Sequence, residues 1–283
     1  MIEARPSKTA YLVAMRRAAH QIFDNPKVLD DPLALVILGP GAEQRLRSES
    51  RFSNRMGRAV RAAIAARSRY AEDQLALAVE RGTRQYVILG AGLDTFAYRN
   101  PFAGRGLRVF EVDFPATQEW KRQRLTSAGI SAPDSLTFAP IDFERQTLAH
   151  GLRTAGFDTA KPAFFSWLGV TMYLARQTVL STLRFIASRA PGGGVAFDYM
   201  VPRETLNLTG RLVFNALSRR VAHAGEPFMT FFAPDELRSE LTSMGFHSIE
   251  NLDGAETNAR YFQDRSDGLR VPGLLGRFAS AQI

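Results

Sequence analysis

The stretch YVILGAGLDT, Tyr86–Thr95, decides how this chain is read. An apolar run ends in Gly90, Ala91 and Gly92, and Asp94 follows two residues later. A short apolar run bounded by glycine predicts a buried strand. The glycines predict a tight turn where a ligand can approach the backbone. In an open parallel sheet, ligands bind beyond the carboxyl ends of the strands. The helix after such a turn aims its N–H groups at the same place.

The third glycine of a dinucleotide fingerprint is missing, and Asp94 would repel a pyrophosphate. An acidic side chain suits a cationic ligand better. S-adenosyl-L-methionine, with a sulfonium, an ammonium and no phosphate, fits that requirement. The alternative is a glycine turn that serves only the chain.

Working outward, apolar runs alternate with helical stretches from Arg84 onward. QYVILG, LRVFEVD, LTFAPIDF, PAFFSWLG and GGGVAFDYM read as strands. PATQEWKRQRLTSAG, TLAHGLRTAG and ARQTVLSTLRFIASRA read as the helices between them. Continuously apolar strands separated by helices predict a doubly wound, mostly parallel sheet covered on both faces. APDELRSELTSMGF is a further helix, started at Pro234 and stopped at Gly245. HSIENL and ARYFQDR read as two late, paired strands.

Residues 1–82 are expected to form a helical cover, and 83–283 the sheet domain. Within the cover, LDDPLALVIL pairs Asp31 with Pro32 as N-cap and first helical residue. A long alanine-rich helix follows, with a break expected near Ala65–Ser68 and a cap at Gly82. The connection over 201–233 is too long for a simple crossover and is a candidate substrate lid.

The second and third strands add acids at the same edge. FEVDFP puts Glu111 and Asp113 on one face, about 20 residues after the glycines, where an acid can accept ribose hydroxyls. The other role open to Asp113 is to cap the helix at Pro115. The third strand ends in Asp142 and Phe143, able to bind an adenine amino group and pack on the ring, or to cap the next segment.

The totals bound the rest. The chain has 283 residues, 45% hydrophobic, no cysteine and four histidines. A disulfide framework, a thiolate nucleophile and a cysteine-built zinc site are excluded. The lack of cysteine and of an apolar leader in MIEARPSKTA fits a cytoplasmic location. No stretch is apolar for long enough to span a bilayer. The net charge of +8 comes from arginines spread along the chain rather than from one basic block. No separate nucleic-acid recognition module is visible.

Four stretches, YVILGAGLDTFAYR, FEVDFPATQEWKR, APIDF and WLGVTMYLARQTVLSTL, together resemble the leucine carboxyl methyltransferase family, including its bacterial branch of O-methyltransferases. The resemblance runs from SKTA near residue 8 to ARYFQDR near residue 265. It implies a class I, Rossmann-like methyltransferase fold whose sheet is parallel but for one late strand. It implies S-adenosyl-L-methionine as cofactor, held by Arg67, Gly90, Ala91, Gly92, Asp94, Glu111, Asp113, Asp142, Phe143 and the residue at 168. Arg67 in AARSRY would meet the cofactor carboxylate, with Arg69 the second choice and Lys8 reaching in from the cover. Many relatives carry a glutamate before the glycine that ends the fourth strand, and this chain has Leu168. Gly169 and Tyr173 of that pattern remain, and Tyr173 is placed beside the sulfonium or substrate, or in the core.

Methyl transfer needs alignment and exclusion of water, and an ionised carboxylate acceptor needs no general base. The absence of an evident His–Asp pair suits such an acceptor, a small molecule or a peptide C-terminus. Arginines at 203, 211, 219 and 220 could clamp it. A hydroxyl acceptor would have Asp198, Tyr199 or His223 to draw on. An NAD(P)-dependent reductase and a non-catalytic cofactor-binding scaffold are the competing readings.

Overall fold

In the computed structural model, β1 (Gln85–Leu89) is buried along its whole length as an interior strand of one seven-stranded sheet. The structure describes residues 8–142, 146–223, 227–273 and 275–283. The other strands are β2 (Arg108–Asp113), β3 (Leu136–Pro140), β4 (Ala163–Trp167), β5 (Gly194–Met200), β6 (His247–Leu252) and β7 (Gly276–Gln282). Their order is β3-β2-β1-β4-β5-β7-β6. β1 to β5 pair in parallel, and β7 runs antiparallel to both β5 and β6. The order reverses between β1 and β4, so the crevice used by ligands in such sheets opens at the end of β1.

Alternation divides the side chains of β1 between two faces. Val87 and Leu89 join a core with Phe110, Phe165, Phe197 and the inner faces of α6 (Arg176–Ala187) and α8 (Pro234–Ser243). Tyr86 and Ile88 join a second core with Tyr70 and Leu75 of α3 (Arg55–Glu80) and with Phe278 of β7. Tyr70 and Phe278 stack with ring centroids 5.9 Å apart. A third cluster lies under α1 (Lys8–Phe23) and α2 (Ala42–Ser48), where Met15, Leu38, Leu46 and Phe52 meet Leu93 of the glycine turn. The cover thus packs directly on the end of β1.

Three expectations are corrected. α3 runs unbroken through Ala65–Ser68, because Ala62, Ala65, Ala66 and Tyr70 present one continuous buried face to the sheet. LDDPLALVIL forms turns and a short 3-10 stretch at Val36–Leu38 instead of an α-helix. Asp31 does accept the Leu33 N–H at 3.2 Å, but its carboxylate is also drawn to Arg17 at 2.7 Å. ARYFQDR is not a strand. Its first three residues end α9 (Gly254–Tyr261), which opens with a reciprocal capping box between Asp253 and Glu256. The last strand is GRFASAQ, whose Phe278, Ala279, Ser280 and Ala281 are buried in succession. A strand of small residues buried on both faces lacks the alternation that would reveal it.

Phe165 is fully buried at the middle of β4 and rests against Phe157 and Phe185. Phe165→Ala is expected to cost about 3–5 kcal/mol of stability. Urea unfolding followed by circular dichroism measures it, and a loss under about 1 kcal/mol would contradict this packing.

Candidate cofactor-binding site

The turn after β1 is built by its neighbour. The N–H groups of Gly90 and Ala91 donate to the Val112 carbonyl at 2.8 and 3.0 Å. Gly90 and Gly92 have φ of +69° and +49°, where a side chain would strain the backbone. Asp113 reaches across from the tip of β2 and accepts the Gly92 N–H at 2.5 Å and the Phe114 N–H at 2.7 Å. Burial pushes its carboxyl up, and those two N–H groups pull it back in part. Asp113 stays half-buried, so its oxygens remain reachable from the edge. It stands one residue before Phe114, the N-cap position of α4 (Pro115–Ser127), and supplies that helix no side-chain cap.

The glycines also serve the chain's own packing. A Cβ on Gly90 would lie 2.5 Å from Val170, and one on Gly92 would lie 3.0 Å from Ala10 of α1. Gly90 is nevertheless exposed, while Ala91 and Gly92 are buried. Open backbone at this tip is therefore offered by Gly90 alone.

Asp94 accepts the Phe96 N–H at 2.7 Å and lies 3.5 Å from Arg17. Burial opposes its charge, but Arg17, Lys121 and Arg99 outweigh that and hold the carboxyl below its ordinary value. Its work is to fasten the turn to the cover. Glu111 belongs to the interior. It is fully buried and paired at 2.6 Å with Lys121, whose ammonium stands 5.6 Å from the centre of the Tyr98 ring. Alternation put Glu111 on the face of Asp113 as expected, but two residues back the sheet is already closed over. Glu111 is thereby removed from the surface that faces a ligand.

At the tip of β4 a second cluster forms. Arg67 of α3 donates from Nη1 to Asp198 Oδ2 at 3.2 Å. Asp198 Oδ1 accepts the Gly169 N–H at 2.5 Å, and its carbonyl accepts the Thr171 hydroxyl at 2.6 Å. A Cβ on Gly169 would fall 2.6 Å from Arg67 Nη1, so glycine there makes room for the guanidinium. Arg69 points elsewhere, paired with Asp73 at 2.7 Å on the exposed side of the helix. Leu168 is half-buried against the α3 face of the sheet. Tyr173 is half-buried, its ring centroid 5.5 Å from that of Phe228 in a strap that also bonds Met229 N–H to the Met172 carbonyl at 2.7 Å. Asp142 follows β3, with its carbonyl accepting the Gln146 N–H at 2.9 Å. Phe143 and the Lys8 side chain lie outside the described residues.

Sequence reasoning missed the cations that hold this edge. Lys121 lies ten positions beyond Glu111 and Arg17 lies in the cover, and nothing in their spacing pairs them with the turn. Asp198 did carry a signal, an acid inside the apolar run GGGVAFDYM.

A family model for leucine carboxyl methyltransferase matches residues 10–187, well over half of the chain. The chain belongs to the leucine carboxyl methyltransferase family. YktD of Bacillus subtilis (strain 168), named as an S-adenosyl-L-methionine-dependent methyltransferase, is 33% identical over 288 residues, 93% of this chain and 93% of its own. A Mycobacterium avium (strain 104) protein with the same activity in its name is 34% identical over 203 residues, 68% of this chain and 65% of its own. Among solved structures, a methyltransferase from Thermobifida fusca superposes with a TM-score of 0.59 at 16% identity, covering 99% of this chain and 96% of that one. A magnesium protoporphyrin IX methyltransferase from Synechocystis, solved with the demethylated cofactor, gives a TM-score of 0.50 at 13% identity over 85% and 91% of the two chains. These likenesses speak for the fold. The family and its relatives make this chain an S-adenosyl-L-methionine-dependent methyltransferase.

The residues present fit that cofactor. An exposed glycine backbone, a reachable acid beside it and a guanidinium whose Nε is buried without an acceptor stand along one edge. Among the described residues, no helix is long and apolar enough to cross a membrane.

Burial pushes the Glu111 carboxyl up to about 7 from an ordinary 4.5, against the pull of Lys121. A raised acid holds its proton in the folded state while the unfolded chain has lost it. Its contribution to stability therefore falls as pH rises from about 4.5 through about 7 and is level above that. Urea unfolding from pH 4.5 to 8 should show this decline in the wild type and lose it in Glu111→Gln. An unchanged slope in the variant would rule this group out as its source.

Proposed function

We propose that this methyltransferase esterifies a carboxylate, on a small molecule or a peptide C-terminus, in preference to a hydroxyl. The observation that carries the reading is that Asp198, Asp113 and Asp94 at this edge are each held in place by N–H or guanidinium donors. Asp198 serves Arg67 and the Gly169 N–H, Asp113 serves two backbone N–H groups, and Asp94 serves Phe96 and Arg17. Tyr199 is fully buried and accepts from Asn251 at 2.7 Å. A His–Asp pair not evident in the sequence does exist, His20 with Asp24 at 2.8 Å, but it is sealed in the interior, where His20 Nε2 accepts the N–H groups of Val28 and Leu29. His223 has its side chain outside the described residues. An acceptor that arrives ionised asks for no base.

Bound S-adenosyl-L-methionine supplies an electrophilic methyl on a sulfonium. The chain's part is to hold, orient and dry the reacting groups. Gly90 offers bare backbone, Asp113 offers acceptor oxygens to ribose hydroxyls, and Arg67 offers a cation to the amino-acid carboxylate. Asp142 stands by the adenine side, and Tyr173 lines the face toward the acceptor. α7 (Leu208–His223) and the strap at 227–233 are the described elements assigned in this reading to cover that side. On it, Arg203 bonds Asn215 at 3.0 Å and Arg211 bonds two carbonyls at 2.9 and 3.0 Å. Both guanidiniums meet neutral acceptors, so their charge stays available to an anion. The absence of cysteine suits work in the cytoplasm, and the scattered arginines, many paired with acids, favour a small anionic partner over nucleic acid or a membrane.

Transfer of labelled methyl to a panel of carboxylic acids, C-terminal peptides and phenols tests this. A methyl ester released by mild alkali is expected, with a rate level from about pH 6 to 9, since carboxylates are already ionised there. An alkali-stable product, or a rate climbing toward the pKa of a phenol, would sink it. Asp113→Ala should weaken S-adenosylhomocysteine binding by about tenfold or more in calorimetry.

A further inference from the structure

Arg67 can neutralise only one end of an amino acid. The amino-acid part of the cofactor carries an ammonium as well as a carboxylate, and an ammonium buried at a sheet edge needs an acidic acceptor. The tip of β4 offers no acid for it, since the apolar Leu168 stands there. We propose that Asp198, on the next strand beside Arg67, receives the cofactor's α-ammonium. This rests on the cofactor assignment and on Arg67 facing the amino-acid end.

The register places Asp198 beside that tip. Trp167 of β4 pairs with Phe197 of β5, so Leu168 and Asp198 are neighbours one step beyond. Asp198 is buried to 7% exposure but not sealed, with 10% of its side chain and 13% of that of Arg67 open at the edge. Each of its carboxylate oxygens holds one protein donor, Gly169 N–H on Oδ1 and Arg67 Nη1 on Oδ2. An ionised carboxylate has about four acceptor positions, so two remain. Arg67 keeps its Nε buried without an acceptor. The pair therefore has unmet capacity of both signs in one place, as a zwitterion requires. Gly169 supports this arrangement, since any Cβ there would press on Arg67 Nη1. An acid kept only to neutralise Arg67 would explain the ion pair. It would not explain why donors and acceptors are left over on both partners.

The test separates the two roles by ligand. S-adenosylhomocysteine carries the amino-acid chain, and 5′-methylthioadenosine lacks it. Calorimetry on Asp198→Asn should show S-adenosylhomocysteine weakened by about tenfold or more, as for loss of a charged hydrogen bond. 5′-Methylthioadenosine should stay within about twofold. The double variant Leu168→Glu with Asp198→Asn moves the acid to the neighbouring strand and should recover most of the loss. Equal weakening of both ligands would make Asp198 a prop for the Gly169 turn and overturn the proposal. Should Asp198→Asn fail to fold, the wild type decides. It should bind S-adenosylhomocysteine about tenfold tighter than the analogue without the α-amino group, and equal affinities would overturn the proposal. A wild type that binds neither S-adenosylhomocysteine nor 5′-methylthioadenosine would refute the cofactor assignment itself, a different result from either.

Discussion

Arg17 carries a positive charge to a place water hardly reaches, and the site depends on how that charge is met. Its side chain is 5% exposed. It lies 2.7 Å from the fully buried Asp31, donates to the Leu93 carbonyl at 2.5 Å and reaches toward Asp94. Asp31 in turn accepts the Thr95 hydroxyl at 2.7 Å, and Arg99 bridges from Asp31 to Glu72 of α3. Removing one member of such a set would leave a buried charge uncompensated, a loss of several kcal/mol. The network therefore tolerates only one placement of the cover helix, the glycine turn and α3 relative to one another. That placement sets the crevice.

Each strand tip then solves one part of a single problem. β1 ends in backbone without side chains, β2 ends in a carboxylate that braces that backbone, and β4 and β5 end in a glycine–arginine–aspartate contact. Side chains used for bracing keep further lone pairs or N–H groups after doing so. Pre-formed geometry of this kind lowers the ordering cost of binding. The interior acid Glu111 shows the opposite use. Two residues back from the edge, its carboxyl is bonded to Lys121 and has no role toward solvent.

The sheet was legible because its strands are short apolar runs between punctuation, and the five strands read that way are present. β7 was not legible. Small residues buried on both faces show no period, and ARYFQDR imitates a strand while sitting at the end of a capped helix. Gly90 and Asp113, singled out by motif, and Arg67, singled out by the resemblance, do lie at the carboxyl edge of the sheet. The burial of Glu111 was not legible, because alternation tells which face a residue takes and not how deep that face lies.

Local sequence alone determined the strand–helix alternation, the glycine turn with its acids and the family to which they belong, since these rest on spacing and backbone freedom along the chain. Only the tertiary structure decided which acids stay at the edge and which cations they meet. Arg17 with Asp94, Lys121 with Glu111 and Arg67 with Asp198 join residues from different elements. Their partners are chosen by packing and by the cost of burying an unpaired charge, and neither is written in the order of residues.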